Sequence, residues 1–266
     1  LHGEVELNNH YSKNTSKSRL SANLRYDNLW QKQHSFGLQG QISPENIDEV
    51  RVISGTYILP WKDSASRLAF YAVSSNSEIA TLGGDSGSLL ILGDSRIYGF
   101  RFVKPLQSTS RYLHSLTLGF DYKDVEEEVT FPSDPSFLGV VTPVDYIVWT
   151  GKYIVTAREK TSTRRYGTGA NFGIRGLANS TEEFEDKRFK GEPDFFYLEA
   201  SFRQDLYLPK KGSMVTRAKA QLVGAPLISN EQFSAGGASS VRGYLESQRV
   251  GDRGMLLGFE WQTPPL

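Results

Sequence analysis

The sequence contains no cysteine. Disulfide frameworks, Cys-ligated zinc and iron–sulfur clusters are therefore excluded. Neither sign of charge is in excess: 30 Lys and Arg balance 30 Asp and Glu, for a formal net charge of zero. Broad binding to nucleic acid depends on a basic surplus that displaces counterions, so no nucleic-acid partner is expected. No uninterrupted apolar run approaches the ~18–20 residues that a transmembrane helix needs. No secretory leader is visible either, because the chain opens Leu1-His2-Gly3-Glu4 without a basic start or an apolar stretch. The opening is expected to be a processed end or an internal position of a longer protein. Histidine is scarce. His2, His10, His34 and His114 are the four present, and none stands in a recognisable catalytic context.

A mean hydropathy of −0.40 would ordinarily mark a soluble chain. A membrane barrel, however, shows only every second residue to lipid and keeps a low average. Alternation with period two is what the sequence has in abundance. Leu20, Ala22, Leu24 and Tyr26 share one face, opposite Arg19, Ser21, Asn23 and Arg25. Tyr98, Phe100 and Phe102 oppose Arg101, and Leu116, Leu118 and Phe120 oppose Ser115 and Thr117. Ile147, Trp149, Tyr153 and Val155 oppose Lys152. Phe196, Leu198, Ala200 and Phe202 oppose Glu199, Ser201 and Arg203. Met214, Ala218, Ala220 and Leu222 oppose Arg217, Lys219 and Gln221, and Met255, Leu257, Phe259 and Trp261 oppose Glu260 and Gln262. Side chains of a strand point alternately to two faces, so the chain is all-β with one apolar and one wet face.

Two architectures produce such a pattern. A soluble sandwich hides the apolar face inside, and a membrane barrel turns it outward around a polar lumen. Three details favour the barrel. Arg and Lys sit mid-strand on the wet face. Many strands approach the ~9–11 residues of a tilted membrane strand. Trp30, Tyr57, Trp61, Tyr112, Tyr146 and Tyr207 recur near strand ends, as interfacial girdles do. Turn signals divide the chain into about twelve strands, at 3–9, 18–28, 34–43, 49–60, 66–79, 94–105, 111–126, 144–159, 165–177, 194–208, 213–224 and 253–263. Long polar segments at 80–93, 127–143, 178–193 and 225–252 alternate with short turns such as 61–66 and 209–212. That asymmetry marks a barrel whose ends face different compartments.

The stretch Glu231-Gln-Phe-Ser-Ala-Gly-Gly-Ala-Ser-Ser-Val-Arg-Gly-Tyr244 is the most specific part of the chain. It resembles the signature of the Omp85 superfamily, in which a Gly-Gly pair precedes Val-Arg-Gly-Tyr or Val-Arg-Gly-Phe. Its flanks narrow the match. Gln221-Leu222-Val223 and Pro226-Leu227 lead in, and Leu245-Glu246-Ser247, Gly251-Asp252-Arg253-Gly254 and a strand with Glu260 follow. Glu183-Phe184, Lys187-Arg188, Tyr197-Leu198, Leu208-Pro209, Gly3-Glu4-Val5, Asn8-Asn9 and Asp27-Asn28-Leu29 point the same way. Together they resemble the haemolysin secretion/activation branch, the TpsB transporters of two-partner secretion, over essentially the whole chain.

That resemblance implies a sixteen-stranded transmembrane antiparallel barrel, of which 1–266 would supply about twelve strands, without the two POTRA domains that precede it in the family. It implies that loop 225–252, carrying the Val-Arg-Gly-Tyr motif, folds back into the lumen. The wall acid that pairs with the loop arginine in the family would lie beyond Leu266. Arg242 is the leading candidate, since a guanidinium can pin a long loop by a two-point pair with a carboxylate. Gly236, Gly237 and Gly243 would permit a folded-back tip, and Val241 and Tyr244 complete the motif, with the Tyr244 ring expected against lumen side chains. Glu199, Glu260, Arg217 and Lys219 are candidate partners in the lumen. Arg25, Arg101, Lys152, Arg175, Arg203, Arg217 and Lys219 form either a basic track for an unfolded chain or ion pairs with lumen acids.

Two other features are weaker. Gly84-Asp85-Ser86-Gly87-Ser88 is similar to a trypsin-like nucleophile segment, but the base and orienting acid of a triad have no counterpart. Glu126, Glu127 and Glu128 beside Asp124 could ligate a divalent cation, or be a solvated strand end. The resemblance therefore implies a non-enzymatic exporter of a large secreted haemolysin or adhesin, seated in outer-membrane lipid and needing no metal or cofactor. The alternatives are an insertase of the same superfamily, a passive porin, or the barrel of a fused lipase.

Overall fold

The computed structural model describes residues 1–11, 15–61, 65–84, 87–129, 140–178, 180–208 and 212–263, and side chains outside 77–93 and 127–141. Twelve strands make one antiparallel sheet. They are β1 (His2–Asn8), β2 (Arg19–Leu29), β3 (His34–Ile42), β4 (Val50–Trp61), β5 (Ser66–Gly84), β6 (Gly87–Pro105), β7 (Tyr112–Val129), β8 (Val140–Arg158), β9 (Ser162–Gly173), β10 (Phe196–Leu208), β11 (Gly212–Val223) and β14 (Gly254–Gln262). Each strand pairs with its neighbour in sequence, except that β11 pairs with β14. Between those two the chain makes a separate ribbon, β12 (Phe233–Ala235) with β13 (Arg249–Gly251). Helix α1 (Thr181–Lys187) lies between β9 and β10. β1 and β14 are the two edges of the sheet and share no ladder among the described residues.

The strands match the alternation in the sequence, with three differences. β5–β6 and β7–β8 continue through much of the segments read as loops, as far as Gly84↔Gly87 and Val129↔Val140. Gly, Ser and Asp clusters carry turn chemistry, yet a ladder needs only backbone donors and acceptors. At ~3.3 Å per residue the 19 residues of β5 reach about 60 Å, twice a bilayer core. Both hairpins are therefore longer at the long-loop end than a tilted membrane strand requires. β9 ends at Gly173, four residues before the expected 177, because a turn with Gly176 and Ala178 at positive φ follows. Segment 178–193, read as loop, holds α1; seven residues are too few for a helical period to show. Of the connections read as short turns, 61–66 and 209–212, residues 62–64 and 209–211 lie outside the described residues.

Burial follows strand parity, and the apolar face is outward. One aromatic per strand stands in direct register across nine consecutive strands: Tyr26, Phe36, Tyr57, Phe70, Phe100, Phe120, Trp149, Phe172 and Phe196. Adjacent rings touch, with centroids 5.2 Å apart for Phe70–Phe100, 5.8 Å for Phe100–Phe120 and 5.3 Å for Phe120–Trp149. Phe70 is 46% exposed and Phe196 54%. A sandwich would bury this row against a second sheet; here it is the outer surface, as lipid contact requires. Leu24, Leu118, Leu198 and Leu222 lie exposed on the same face. Leu118→Arg is therefore expected to cost about 2–4 kcal/mol, and Gln39→Arg on the inner face far less. Denaturant titration of the full-length protein refolded into vesicles measures both, and equal costs would refute the assigned faces.

The inner face is not uniformly wet. Toward the long-loop end it carries a buried cluster of Val125, Val144, Tyr146, Val148, Phe184, Phe195, Tyr197, Val223, Leu227 and Ile228. Tyr146, expected in an interfacial girdle, is fully buried there because its even position on β8 points inward. α1 seals this cluster: Phe184 is 1% exposed and its ring lies 5.5 Å from Tyr146 and 6.1 Å from Phe195. A second knot holds the middle of the wall. Arg101 donates to both carboxylate oxygens of Asp121, at 2.8 and 2.7 Å, and the Tyr71 hydroxyl donates to the same group. The Arg101 guanidinium also sits 5.4 Å from the Tyr71 ring centre. Both side chains lie across glycines: a Cβ on Gly99 would fall 2.0 Å from Tyr71 Cζ, and one on Gly119 2.7 Å from Arg101 Cδ.

Candidate functional site: the loop 225–252

The loop leaves β11 at Val223 and re-enters the sheet at Gly254. Its base is fastened at two acids. Glu231, in a short 3-10 turn (Ser229–Glu231), is 4% exposed. Its carboxylate accepts from Lys123 Nζ at 2.5 Å, from the Tyr146 hydroxyl at 2.7 Å and from the Tyr197 hydroxyl at 2.8 Å. Its carbonyl accepts from Gln221 Nε2 at 2.9 Å. These donors come from β7, β8, β10 and β11. A buried carboxylate is costly unless its lone pairs are met by charge and hydrogen bonds, and here three donors meet them.

Asp252 fastens the return. Arg188, just after α1, makes a two-point pair with it at 2.7 and 2.8 Å. The Leu227 N–H and Gln232 Nε2 add bonds of 3.1 and 3.0 Å. Burial pushes the Asp252 carboxyl up, yet the Leu227 N–H, Gln232 and the Arg188 guanidinium together hold it below the ordinary value. The same Arg188 also donates to the Leu227 carbonyl at 2.5 Å, and Gln221 Nε2 to the Asp252 carbonyl at 3.1 Å. Loop, helix and wall thus share one polar mount beside the apolar cluster.

The tip, residues 236–248, is held mainly by itself. Gly237 bridges Val241, the Gly237 N–H donates to the Tyr244 carbonyl at 3.2 Å, and Ser240 Oγ donates to the Gly236 carbonyl at 2.6 Å. Gly236, Gly237 and Gly243 have φ of +128°, +93° and +88°. The first two are also sterically required, because a Cβ on Gly237 would fall 2.0 Å from the Glu246 carboxylate and one on Gly236 2.4 Å from the Leu245 carbonyl. Arg242 reaches Glu260 on β14, with Nη2 3.0 Å from Oε2. Glu260 is shared, since Arg217 Nη1 lies 2.8 Å from its other oxygen. The Arg242 side chain remains 69% exposed. Val241 and Tyr244 are exposed too.

The other candidates separate. Glu199 lies over Gly169, and the acid that Arg242 pairs with is Glu260. Lys219 and Lys152 have no acid partner among the described residues. Arg25 pairs with Asp27 at 2.9 Å and Arg203 with Asp205 at 2.6 Å. Arg175, expected to face the lumen, instead lies past the end of β9, where it pairs with Asp194 at 2.7 Å. Asp85 and Ser86 of the protease-like segment lie outside the described residues, as do the side chains of Glu127 and Glu128. Glu231, Lys123, Arg188 and Asp252 were not among the sequence candidates. An acid at each end of a long loop, and a lone lysine on an inward parity position, were the available signals.

The sequence model of the family haemolysin secretion/activation protein ShlB/FhaC/HecB matches residues 1–264. The chain belongs to this family. Among solved structures, CdiB from Escherichia coli is similar at a TM-score of 0.78 and 17% identity, over 99% of this chain and 48% of CdiB. BamA from Haemophilus ducreyi lacking POTRA domains 1-3 is similar at 0.54 and 15% identity, over 92% of this chain and 46% of BamA. The chain thus spans about half the length of these relatives. No curated protein sequence matches it. As a member of the ShlB/FhaC/HecB family with this fold, it is an outer-membrane β-barrel protein, and the inner face of the sheet is the lumen face.

Proposed function

We propose that the chain is the greater part of the barrel of an exporter that passes a large secreted partner polypeptide, of haemolysin or adhesin type, through the outer membrane. Residues 1–266 form its wall and 225–252 its lumen loop, with Gly236, Gly237, Val241, Arg242, Gly243 and Tyr244 as the transport motif. One observation carries this reading: the motif-bearing loop of a secretion family is fastened along the lumen wall, with its arginine on a wall carboxylate. The sequence has no nucleotide-binding motif, so the energy is proposed to come from folding of the cargo outside. No residue is assigned a catalytic role.

Deleting the gene for the full-length protein is expected to abolish secretion of one large exoprotein and to leave the other outer-membrane barrels at normal levels. Complementation restores secretion. Quantifying the culture medium and the membrane fraction side by side tests this. A general loss of barrel proteins would instead make the protein an insertase, and unchanged secretion with ion conductance in a planar bilayer would make it a passive pore.

A further inference from the structure

We infer that Glu231 is the pin of a two-part loop, in which residues 225–235 and 249–252 form a fixed mount and only the tip, 236–248, moves during export. The inference rests on the exporter reading and adds a division of labour within the loop. Three observations carry it. The first is the contrast in attachment. Glu231 is buried and holds a lysine and two tyrosine hydroxyls from three wall strands, whereas among the described residues the tip is tied outside the loop by the largely exposed pair Arg242–Glu260 and by one long backbone bond, from the Glu246 N–H to the Tyr11 carbonyl at 3.4 Å. An exposed ion pair contributes little, while breaking a buried one leaves an uncompensated charge.

The second is where the conformational freedom sits. The ribbon β12–β13 pairs Ala235 with Arg249, and the left-handed residues begin just beyond it, at Gly236 and Gly237 on one side and Ser247 on the other. Hinges are a few element-terminal residues that absorb large backbone changes. The third is redundancy at the mount. Gln221 binds both carbonyls, of Glu231 and of Asp252, and Arg188 joins Asp252 to Leu227, so neither end of the base opens without the other. Glu231 is therefore a positioning residue: it keeps the hinge at a fixed place on the wall while the tip swings.

The 266 residues hold no cysteine, so introduced thiols in them are unique. In the full-length protein, a nitroxide at Asn230→Cys is expected to give an immobilised spectrum and one at Ser239→Cys a mobile one. Adding Glu231→Gln, or Glu231→Ala where it folds, should mobilise the first label and leave the second unchanged, with folded barrel still present. Lys123→Cys with Glu231→Cys should export poorly, and bridging the two thiols with a short crosslinker should restore at least about half of export. Bridging Tyr11→Cys to Ser247→Cys, beside the backbone contact of Tyr11 with Glu246, should lower export about tenfold relative to the unbridged variant. Equal mobility of the two labels, loss of export on bridging the mount, or unchanged export on bridging the tip would each overturn the inference. In the last case secretion is still observed, so the exporter reading survives; absence of export from the unmodified protein would be the failure of that reading.

Discussion

Replacing Arg242 by alanine is expected to lower export of the partner polypeptide by about tenfold or more, equivalent to at least ~1.4 kcal/mol in the limiting step, with folded barrel unchanged. The barrel is spared for two reasons. The ladders β10–β11 and β11–β14 run without any contribution from the loop. Glu260 also keeps Arg217 when Arg242 is removed, so no wall carboxylate is stranded. What the substitution removes is the contact that parks the tip against the lumen wall. Arg242→Lys is expected to rescue only in part, because an ammonium is a point charge without the planar fork of a guanidinium. Secreted cargo and heat-modifiable folded barrel, measured in the same cells, decide the matter. Normal secretion by the alanine variant would remove Arg242 from the mechanism, and loss of folded barrel would make its role structural.

The wall of this protein is legible in its sequence because period-two alternation is a local property. Leu20 to Tyr26 or Phe196 to Phe202 each declare a strand and its faces without reference to any other segment. Register is not local. That Phe70, Phe100 and Phe120 stand side by side follows from three hairpins at once, and so the aromatic row emerges only in three dimensions. The long-loop ends of β5–β8 were hidden for a related reason, since backbone pairing continues where side-chain patterning stops. In the loop, the motif around Arg242 is a contiguous string and could be read directly. The mount could not, because Lys123, Tyr146, Tyr197 and Arg188 reach Glu231 and Asp252 from up to 108 positions away in sequence. A charged residue that reads as a solvated face becomes a buried ligand only when a distant strand supplies its counter-charge.

The wall knot gives the second large effect. Asp121→Ala is expected to destabilise the barrel by about 3–5 kcal/mol, the cost of stranding one member of a buried pair. Arg101 is only 19% exposed in its side chain and Asp121 8%, so water is poorly placed to replace the lost carboxylate. The Tyr71 hydroxyl loses its acceptor in the same step. The more exposed pair Arg203–Asp205 is the control: Asp205→Ala, on the same lumen face, should cost about 1 kcal/mol. The triple variant Tyr71→Phe, Arg101→Met and Asp121→Leu should recover most of the loss, because it removes every stranded polar group while Met still covers Gly119 and Phe still covers Gly99. Denaturant unfolding of the full-length protein in vesicles, followed by heat-modifiability, yields all three values. A cost for Asp121→Ala as small as that for Asp205→Ala would mean that lumen water solvates Arg101 freely and that the knot does not hold the wall.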